Sequence, residues 1–163
     1  MSTRPLILLT NDDGIASPGL EAAARAVLGL GELLIAAPST QQTAMGRSFR
    51  GRKDASLEPI VYRVDGHEIR AFHAEGTPAT VVRHALQVLC PERLPELLIS
   101  GINYGENVGT SISASGTVGA AIEAASMGIP ALAAARQVHP DGFMEHGEQD
   151  WRASEHFLRL FAE

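Results

Sequence analysis

Apolar runs of five to seven residues recur along the chain and are separated by longer amphipathic or polar segments. The runs span residues 6–10, 33–38, 96–100 and 129–135. Continuous apolar runs of this length are typical of strands in a parallel sheet that is covered on both faces. The segment 59–73 has a different pattern, which predicts a β-hairpin with its tight turn at Asp65 and Gly66.

Helix signals lie between these runs. Three predicted helices begin at a capping hydroxyl, and two of these caps are followed by Pro at the first helical position. The caps are Ser17 before Pro18, Thr77 before Pro78, and Ser115, while Gly31 and Gly128 mark helix ends. The last predicted helix, 151–163, carries Trp151, Leu158 and Phe161 on one side, which indicates a core or interface position for them.

The alternation of strands and helices predicts an α/β fold with a mostly parallel sheet, helices on both of its faces and one hairpin. A length of 163 residues favours one domain, so we expect residues 1–163 to fold as a single unit.

Composition narrows the possible functions. The formal net charge of −6 argues against a nucleic-acid surface, which needs a basic patch. Cys90 is the only cysteine, so no internal disulfide is possible and we expect a reducing compartment, the cytoplasm. No apolar stretch reaches about 18 residues, so we expect no membrane-spanning helix, and the N-terminus does not have the pattern of a signal peptide.

Polar residues collect where the predicted strands end, at the edge where parallel sheets bind ligands. They are Asn11, Asp12 and Asp13, then Ser39, Thr40 and Thr43, then Gly101, Asn103 and Asn107. Their donor atoms are oxygens, which suit Mg²⁺, Mn²⁺ or Ca²⁺ better than zinc, and a cation would relieve the repulsion between adjacent carboxylates. Taken alone, the stretch 11–14 is better explained as a simple turn, but the other strand ends favour a metal site.

The stretch Ser115, Gly116 and Thr117 begins a predicted helix and offers free N–H groups and hydroxyls to an anion. A plain Ser cap is the simpler explanation for this stretch alone. A cation site and an anion site on one edge together indicate a bound phosphate ester.

Other motifs do not indicate a function. The sequence has no phosphate-binding loop of the type GxxxxGK[ST] and no GxGxxG after a strand. We expect Cys90 to be a core residue, and His139 and His146 to lie in a solvated loop.

Five stretches, in this order, resemble the SurE survival proteins, which are metal-dependent 5'(3')-nucleoside-monophosphate phosphatases. They are LLTNDDGIASPGL, AAPSTQQTAMG, GTPA, SGINYGENVG and SGTVGAAIEAASMGIPALA, and they extend from about Leu6 to Ala135. The resemblance implies a Rossmann-like three-layer α/β sandwich with a mostly parallel sheet and a β-hairpin.

The resemblance also implies residue roles. Asp12, Asp13 and Asn103 match metal ligands, and Thr43 stands where the family usually has a Ser ligand. The phosphate would be held by Ser115, Gly116 and Thr117, with Asn11 and Asn107 near it. Asp12 and Asp13 are the expected catalytic residues, with Asp12 as the acceptor of the proton from water. One divalent ion, Mg²⁺ or Mn²⁺, is the expected cofactor.

The sequence departs from the family pattern at three places. Ser39 replaces the Asp usual after AP, and Thr80 replaces the Asp usual in GTPxD. Family members also continue past residue 163 with a segment used in dimer and tetramer formation. We therefore expect a homodimer, and a tetramer less stable than that of longer relatives.

The sequence thus predicts a metal-dependent phosphomonoesterase that converts nucleoside monophosphates to nucleoside and phosphate. One alternative is a non-catalytic module that binds metal and nucleotide. Another is a phosphatase of the haloacid-dehalogenase type, but its nucleophilic Asp would fall at Asn11.

Overall fold

The computed structural model describes residues 4–51, 55–138 and 149–163. Within these ranges the chain forms strands, α-helices and a short 3-10 helix in an alternating order. They are β1 (Leu6–Thr10), α1 (Pro18–Val27), β2 (Glu32–Pro38), β3 (Glu58–Val64), β4 (His67–Ala74), α2 (Pro78–Val88), β5 (Leu97–Tyr104), the 3-10 helix (Gly109–Ser113), α3 (Gly116–Ser126), β6 (Ala131–Arg136) and α4 (Arg152–Ala162).

The strands form one sheet in the order β3-β4-β2-β1-β5-β6. All neighbouring pairs are parallel except the hairpin β3–β4, so the predicted α/β class and hairpin are confirmed. From β1 the chain first adds strands on the β2 side and later places β5 on the opposite side of β1. The carboxyl ends of β1 and β5 therefore border a crevice at a topological switch point, where α/β sheets bind ligands.

Helices cover both faces of the sheet. Ile7 and Leu9 of β1 belong to one core cluster, with α1 and part of α4. Leu6 and Leu8 point into the other cluster, with α2 and α3. This alternation is the side-chain period of a strand with helices on each face, and it gives three layers. Cys90 is buried in the second cluster, as expected.

Local signals in the sequence fix several element ends. The Ser17 hydroxyl accepts from the Gly19 N–H, and the Ser115 hydroxyl accepts from the Val118 N–H, so both predicted caps are confirmed. Thr77 occupies the predicted cap position of α2, but its hydroxyl donates to the Ser48 carbonyl at 2.5 Å instead of capping the helix.

Strand β5 is longer than the sequence predicts. It continues to Tyr104, whereas the apolar run that predicts this strand ends at Ser100. The register against β6 shifts between Ser100 and Asn103, and a Cβ on Gly101 would lie 2.2 Å from the Ala134 carbonyl oxygen. Glycine therefore allows the close approach of β6 that keeps this stretch in the sheet.

The three apolar residues predicted to share one side of the C-terminal helix differ in their burial. Leu158 is buried, and Trp151 packs partly buried against the first core cluster. Phe161 is 72% exposed and is not a core residue of the described structure. His139 and His146 lie outside the described residues. None of the helices in the described ranges is long and apolar enough to span a membrane.

Candidate functional site

A pocket of about 170 Å³ opens at the carboxyl ends of β1 and β5. Six of the nine predicted site residues line it: Asp12, Asp13, Thr43, Asn103, Asn107 and Ser115. They come from the ends of two strands, the loop after β2, the segment that follows β5 and the start of α3. The other three predicted residues do not line the pocket. Gly116 and Thr117 contact Asp12, and Asn11 contacts Gly14 in the turn that carries Asp12 and Asp13.

The turn after β1 is closed by the Asn11 side chain. Its Nδ2 donates to the Gly14 carbonyl at 2.9 Å, and its Oδ1 accepts from the Gly14 N–H at 3.2 Å. Gly14 has φ +97°, a conformation that glycine adopts without steric cost. The turn presents the next two side chains, those of Asp12 and Asp13, to the pocket. The simple turn and the candidate site are therefore one structure.

The Asp12 carboxylate is held by the first turn of α3. Its Oδ1 accepts from the Thr117 hydroxyl at 2.6 Å, and the backbone N–H groups of Gly116 and Thr117 also stabilise its charge. Burial nevertheless raises the pKa of Asp12, because desolvation exceeds these hydrogen bonds. The positive end of the α3 dipole thus faces Asp12 itself.

Gly116 leaves the space that this arrangement needs. A Cβ at this position would lie 2.8 Å from the Asp12 Cβ and 2.9 Å from its Oδ2. The missing side chain therefore allows Asp12 to pack against the helix start.

The Asp13 carboxylate is held from the β5 side. Its Oδ2 accepts from the Tyr104 N–H at 2.9 Å. Burial, with a smaller contribution from the Asp12 charge, raises the pKa of Asp13 to about 7, and the hydrogen bond from the Tyr104 N–H acts against both. Tyr104 is supported in turn, because its hydroxyl accepts from the Gln149 amide and its ring packs 6.3 Å from that of Trp151.

Asn103 presents its side-chain carbonyl oxygen to the Thr117 hydroxyl. Its Nδ2 donates to the Gly105 carbonyl at 2.7 Å, while its Oδ1 lies 3.0 Å from the Thr117 hydroxyl. The fully buried Thr117 hydroxyl therefore lies between two expected metal ligands, Asp12 and Asn103.

Thr43 belongs to the loop 39–51, here named the Thr43 loop. Thr43 is exposed, yet the adjacent Gln42 N–H donates to the Asp12 carbonyl at 2.6 Å. Ser39, at the start of the loop, does not reach the pocket. Its hydroxyl lies 2.9 Å from His73 Nδ1 and lines a separate pocket of about 390 Å³.

Two residues that line the pocket have a hydrogen-bond donor available for an anion, Ser115 and Asn107. The Ser115 hydroxyl accepts from the Val118 N–H and keeps its own proton for another acceptor. The Asn107 Nδ2 is buried and has no hydrogen-bond partner among the described residues. An unpaired buried donor costs free energy, and a ligand oxygen would remove that cost.

The pocket also contains residues that the sequence pattern did not identify: Gln41, Tyr104, Glu106 and Ser111. They lie in the same polar segments as the predicted residues, but no spacing or motif distinguishes them there. Glu106 adds a third acidic side chain to the lining.

The donor atoms fit a hard divalent cation. Asp12 and Asp13 are each 7% exposed, and neither forms an ion pair with a basic side chain of the described ranges. Two buried carboxylates without a counter-charge are costly, and a cation would compensate them. Among the described residues, no three or more His, Cys, Asp or Glu side chains are arranged so that they could hold a metal ion by themselves, so a zinc-type ligand set is not formed there. Carboxylate, hydroxyl and amide oxygens are the ligands that Mg²⁺ and Mn²⁺ prefer.

Known proteins resemble the chain in both sequence and structure. It is 47% identical over 133 residues to the 5'-nucleotidase SurE of Methanopyrus kandleri, which covers 81% of this chain and 49% of that protein. It is 46% identical to the 5'-nucleotidase SurE of Methanothrix thermoacetophila over 83% of this chain and 50% of that protein. The chain therefore spans about half the length of the curated relatives it matches.

The fold has a solved counterpart. The crystal structure of the SurE protein from Aquifex aeolicus superimposes with a TM-score of 0.76 at 30% identity, over 97% of this chain and 58% of that one. The sequence also matches the family described as Survival protein SurE over residues 7–163, which includes every residue of the pocket. The chain therefore belongs to the SurE family.

Proposed function

We propose that this chain carries the active site of a metal-dependent phosphomonoesterase that hydrolyses nucleoside 5'- and 3'-monophosphates. The observation that carries the proposal is the pocket itself, where two buried carboxylates, an amide oxygen and a hydroxyl converge beside an unpaired amide donor. The relatives named 5'-nucleotidase SurE support the substrate class.

Asp12, Asp13, Thr43 and Asn103 would hold one Mg²⁺ or Mn²⁺. When bound, such a cation polarises the phosphoryl oxygens and stabilises the charge that develops on them. The chain has a net charge of −6, so an anionic substrate needs this local positive charge.

The chain's own residues orient the phosphate. The Asn107 amide and the Ser115 hydroxyl, which both line the pocket, would donate hydrogen bonds to its oxygens. Asp12 is the proposed acceptor of the proton from the attacking water. The phosphate ester and water are consumed, and the alcohol of the nucleoside and inorganic phosphate are formed.

Gly116 and Thr117 hold the expected metal ligands in position. The Thr117 hydroxyl orients Asp12 and Asn103, and the absence of a side chain on Gly116 leaves space for the Asp12 carboxylate. Asn11 shapes the turn that presents Asp12 and Asp13. These three residues act on the phosphate through the ligands they hold.

The test is phosphate release from AMP with Mn²⁺, with Mg²⁺ and with EDTA. The Asp13→Asn variant is the test variant, and Asp65→Asn is its control, because it removes an exposed carboxylate at the hairpin turn. We expect release only with metal, loss of release in Asp13→Asn, and normal release in Asp65→Asn.

Full activity in EDTA would contradict the proposal. Metal and nucleotide binding without any phosphate release would favour the alternative, a non-catalytic binding module of the same fold.

We also propose that the protein acts in the cytoplasm as a homodimer. The single cysteine, buried Cys90, supports a reducing compartment. The family resemblance supports the dimer. Light scattering over a range of concentrations tests the assembly, and a persistent monomer would exclude it.

A further inference from the structure

A third buried carboxylate, that of Glu123, lies on α3, away from the pocket. Glu123 is 0% exposed, and each of its oxygens meets a different guanidinium. Its Oε2 accepts from Arg47 Nε at 2.8 Å, and its Oε1 accepts from Arg83 Nε at 2.8 Å. A buried carboxylate is tolerated only with such pairing, so the position of Glu123 constrains both arginines.

Arg47 lies on the Thr43 loop, four residues after the expected metal ligand. The Nη2 atom of Arg47 donates to the Ser126 hydroxyl at 2.8 Å, which fixes the guanidinium on α3. Arg83 reaches the same loop from α2, because its guanidinium stacks 4.2 Å from the Phe49 ring centroid. Glu123 therefore joins α3, α2 and the Thr43 loop.

The backbone of the Thr43 loop also packs directly on α3. The Gly46 N–H donates to the Ala114 carbonyl at 2.8 Å. A Cβ on Gly119 would lie 2.2 Å from the Gly46 carbonyl oxygen, so only glycine allows this contact. The loop is thus anchored on both sides of Thr43, at Gln42 by Asp12 and at Gly46 and Arg47 by α3.

Glu123 is too far from the pocket to act there itself. It follows Gly116 by seven residues on the same helix, roughly 10 Å along the axis. We propose that Glu123 is a positioning residue, which holds Arg47 and thereby sets the Thr43 hydroxyl at the distance that a divalent cation requires. This inference rests on the proposed function, because it takes Thr43 as a metal ligand.

The experiment is a double-mutant cycle on Mn²⁺ affinity, measured by calorimetric titration of the 163-residue chain. Its variants are Glu123→Gln, Thr43→Ala and the two combined. Residues that orient metal ligands typically alter affinity by about tenfold or more. We expect Glu123→Gln to weaken Mn²⁺ binding about tenfold in the wild-type background and not to weaken it further in Thr43→Ala.

Arg47→Gln is the second variant, because it removes the loop side of the ion pair and leaves Glu123 bound to Arg83. It gives the same prediction if Glu123→Gln fails to fold. Val27→Ala, in the buried face of α1, is the control for general destabilisation, and we expect it to lower Tm with unchanged Mn²⁺ affinity.

The outcomes separate the two claims. Unchanged Mn²⁺ affinity in Thr43→Ala would overturn the ligand assignment in the proposed function. If Thr43→Ala lowers the Mn²⁺ affinity and Glu123→Gln leaves it unchanged, only the positioning role of Glu123 would be overturned. Equal losses from Glu123→Gln in both backgrounds would show that Glu123 does not act through Thr43, and would also overturn it.

Discussion

The carboxylate of Asp12 fills the space that a side chain on Gly116 would occupy, with only 2.8 Å between the Asp12 Cβ and the position of a Cβ on residue 116. The sequence at the start of α3 is typical of a phosphate-binding helix N-terminus. In the structure this helix start packs against the Asp12 carboxylate of the candidate metal site.

This contact predicts the effect of Gly116→Ala. The added methyl group would displace Asp12, because both the Asp12 Cβ and its Oδ2 lie under 3.0 Å from the new atom. We expect Mn²⁺ affinity to fall about tenfold or more in calorimetric titration, as for other residues that orient ligands. Gly29→Ala is the control, since nothing lies within 4 Å of its added Cβ. Equal affinities in wild type and Gly116→Ala would show that Asp12 is not a ligand or relaxes freely.

Thr117→Val tests the hydroxyl between the two ligands. Valine keeps the shape of this buried side chain but removes the hydrogen bond to Asp12 Oδ1. A hydrogen bond to a charged group contributes about 1.5–3 kcal/mol, which corresponds to a loss of about tenfold or more in affinity if the site needs it. Thr117→Ser keeps the hydroxyl and should retain Mn²⁺ binding. A Thr117→Ser variant as weak as Thr117→Val would indicate a packing effect.

Asn107→Asp tests the anion side separately. The change replaces a buried, unpaired amide donor with a carboxylate that repels phosphate oxygens. We expect affinity for inorganic phosphate, measured in the presence of saturating Mn²⁺, to fall about tenfold or more. Affinity for Mn²⁺ itself should not fall. Unchanged phosphate affinity would place the anion elsewhere in the pocket.

The raised pKa of Asp13 predicts a pH effect on stability in EDTA. Its pKa is about 7 in the fold and 3.8 ordinarily, so between these values the folded protein keeps a proton that the unfolded chain has released. The contribution of this group to the free energy of unfolding therefore falls as pH rises through that window, by up to about 1.4 kcal/mol per pH unit.

Asp13→Asn has no such proton and keeps an oxygen to accept from the Tyr104 N–H. The free energy of unfolding of Asp13→Asn minus that of wild type should grow from about pH 4 to about pH 7 and then level off. Urea denaturation at a series of pH values measures it. A difference that is independent of pH would mean that Asp13 ionises normally in the fold.

Much of the site follows from the sequence because parallel strands place their carboxyl ends at one edge. That rule predicted that Asp12, Asp13 and Asn103 would meet, and the pocket confirms that they do. It failed for Ser39, which follows β2 at the same edge, because its hydroxyl pairs with His73 of the neighbouring strand β4.

The remaining differences depend on contacts between distant segments. Thr117 and Asp12 are 105 residues apart, and no local pattern indicates that the hydroxyl points at the carboxylate. The extension of β5 to Tyr104 depends on the close approach of the Ala134 backbone to Gly101. The single-domain expectation for 1–163 and the role of each site residue stay predictions.

The most direct test of the central claim is the position of Mn²⁺ in crystals of this protein, located by anomalous scattering. We predict one strong peak at the ends of β1 and β5, within about 2.0–2.4 Å of oxygens of Asp12, Asp13, Thr43 and Asn103. A peak elsewhere, or none at saturating Mn²⁺, would contradict the assignment of this pocket as the metal site.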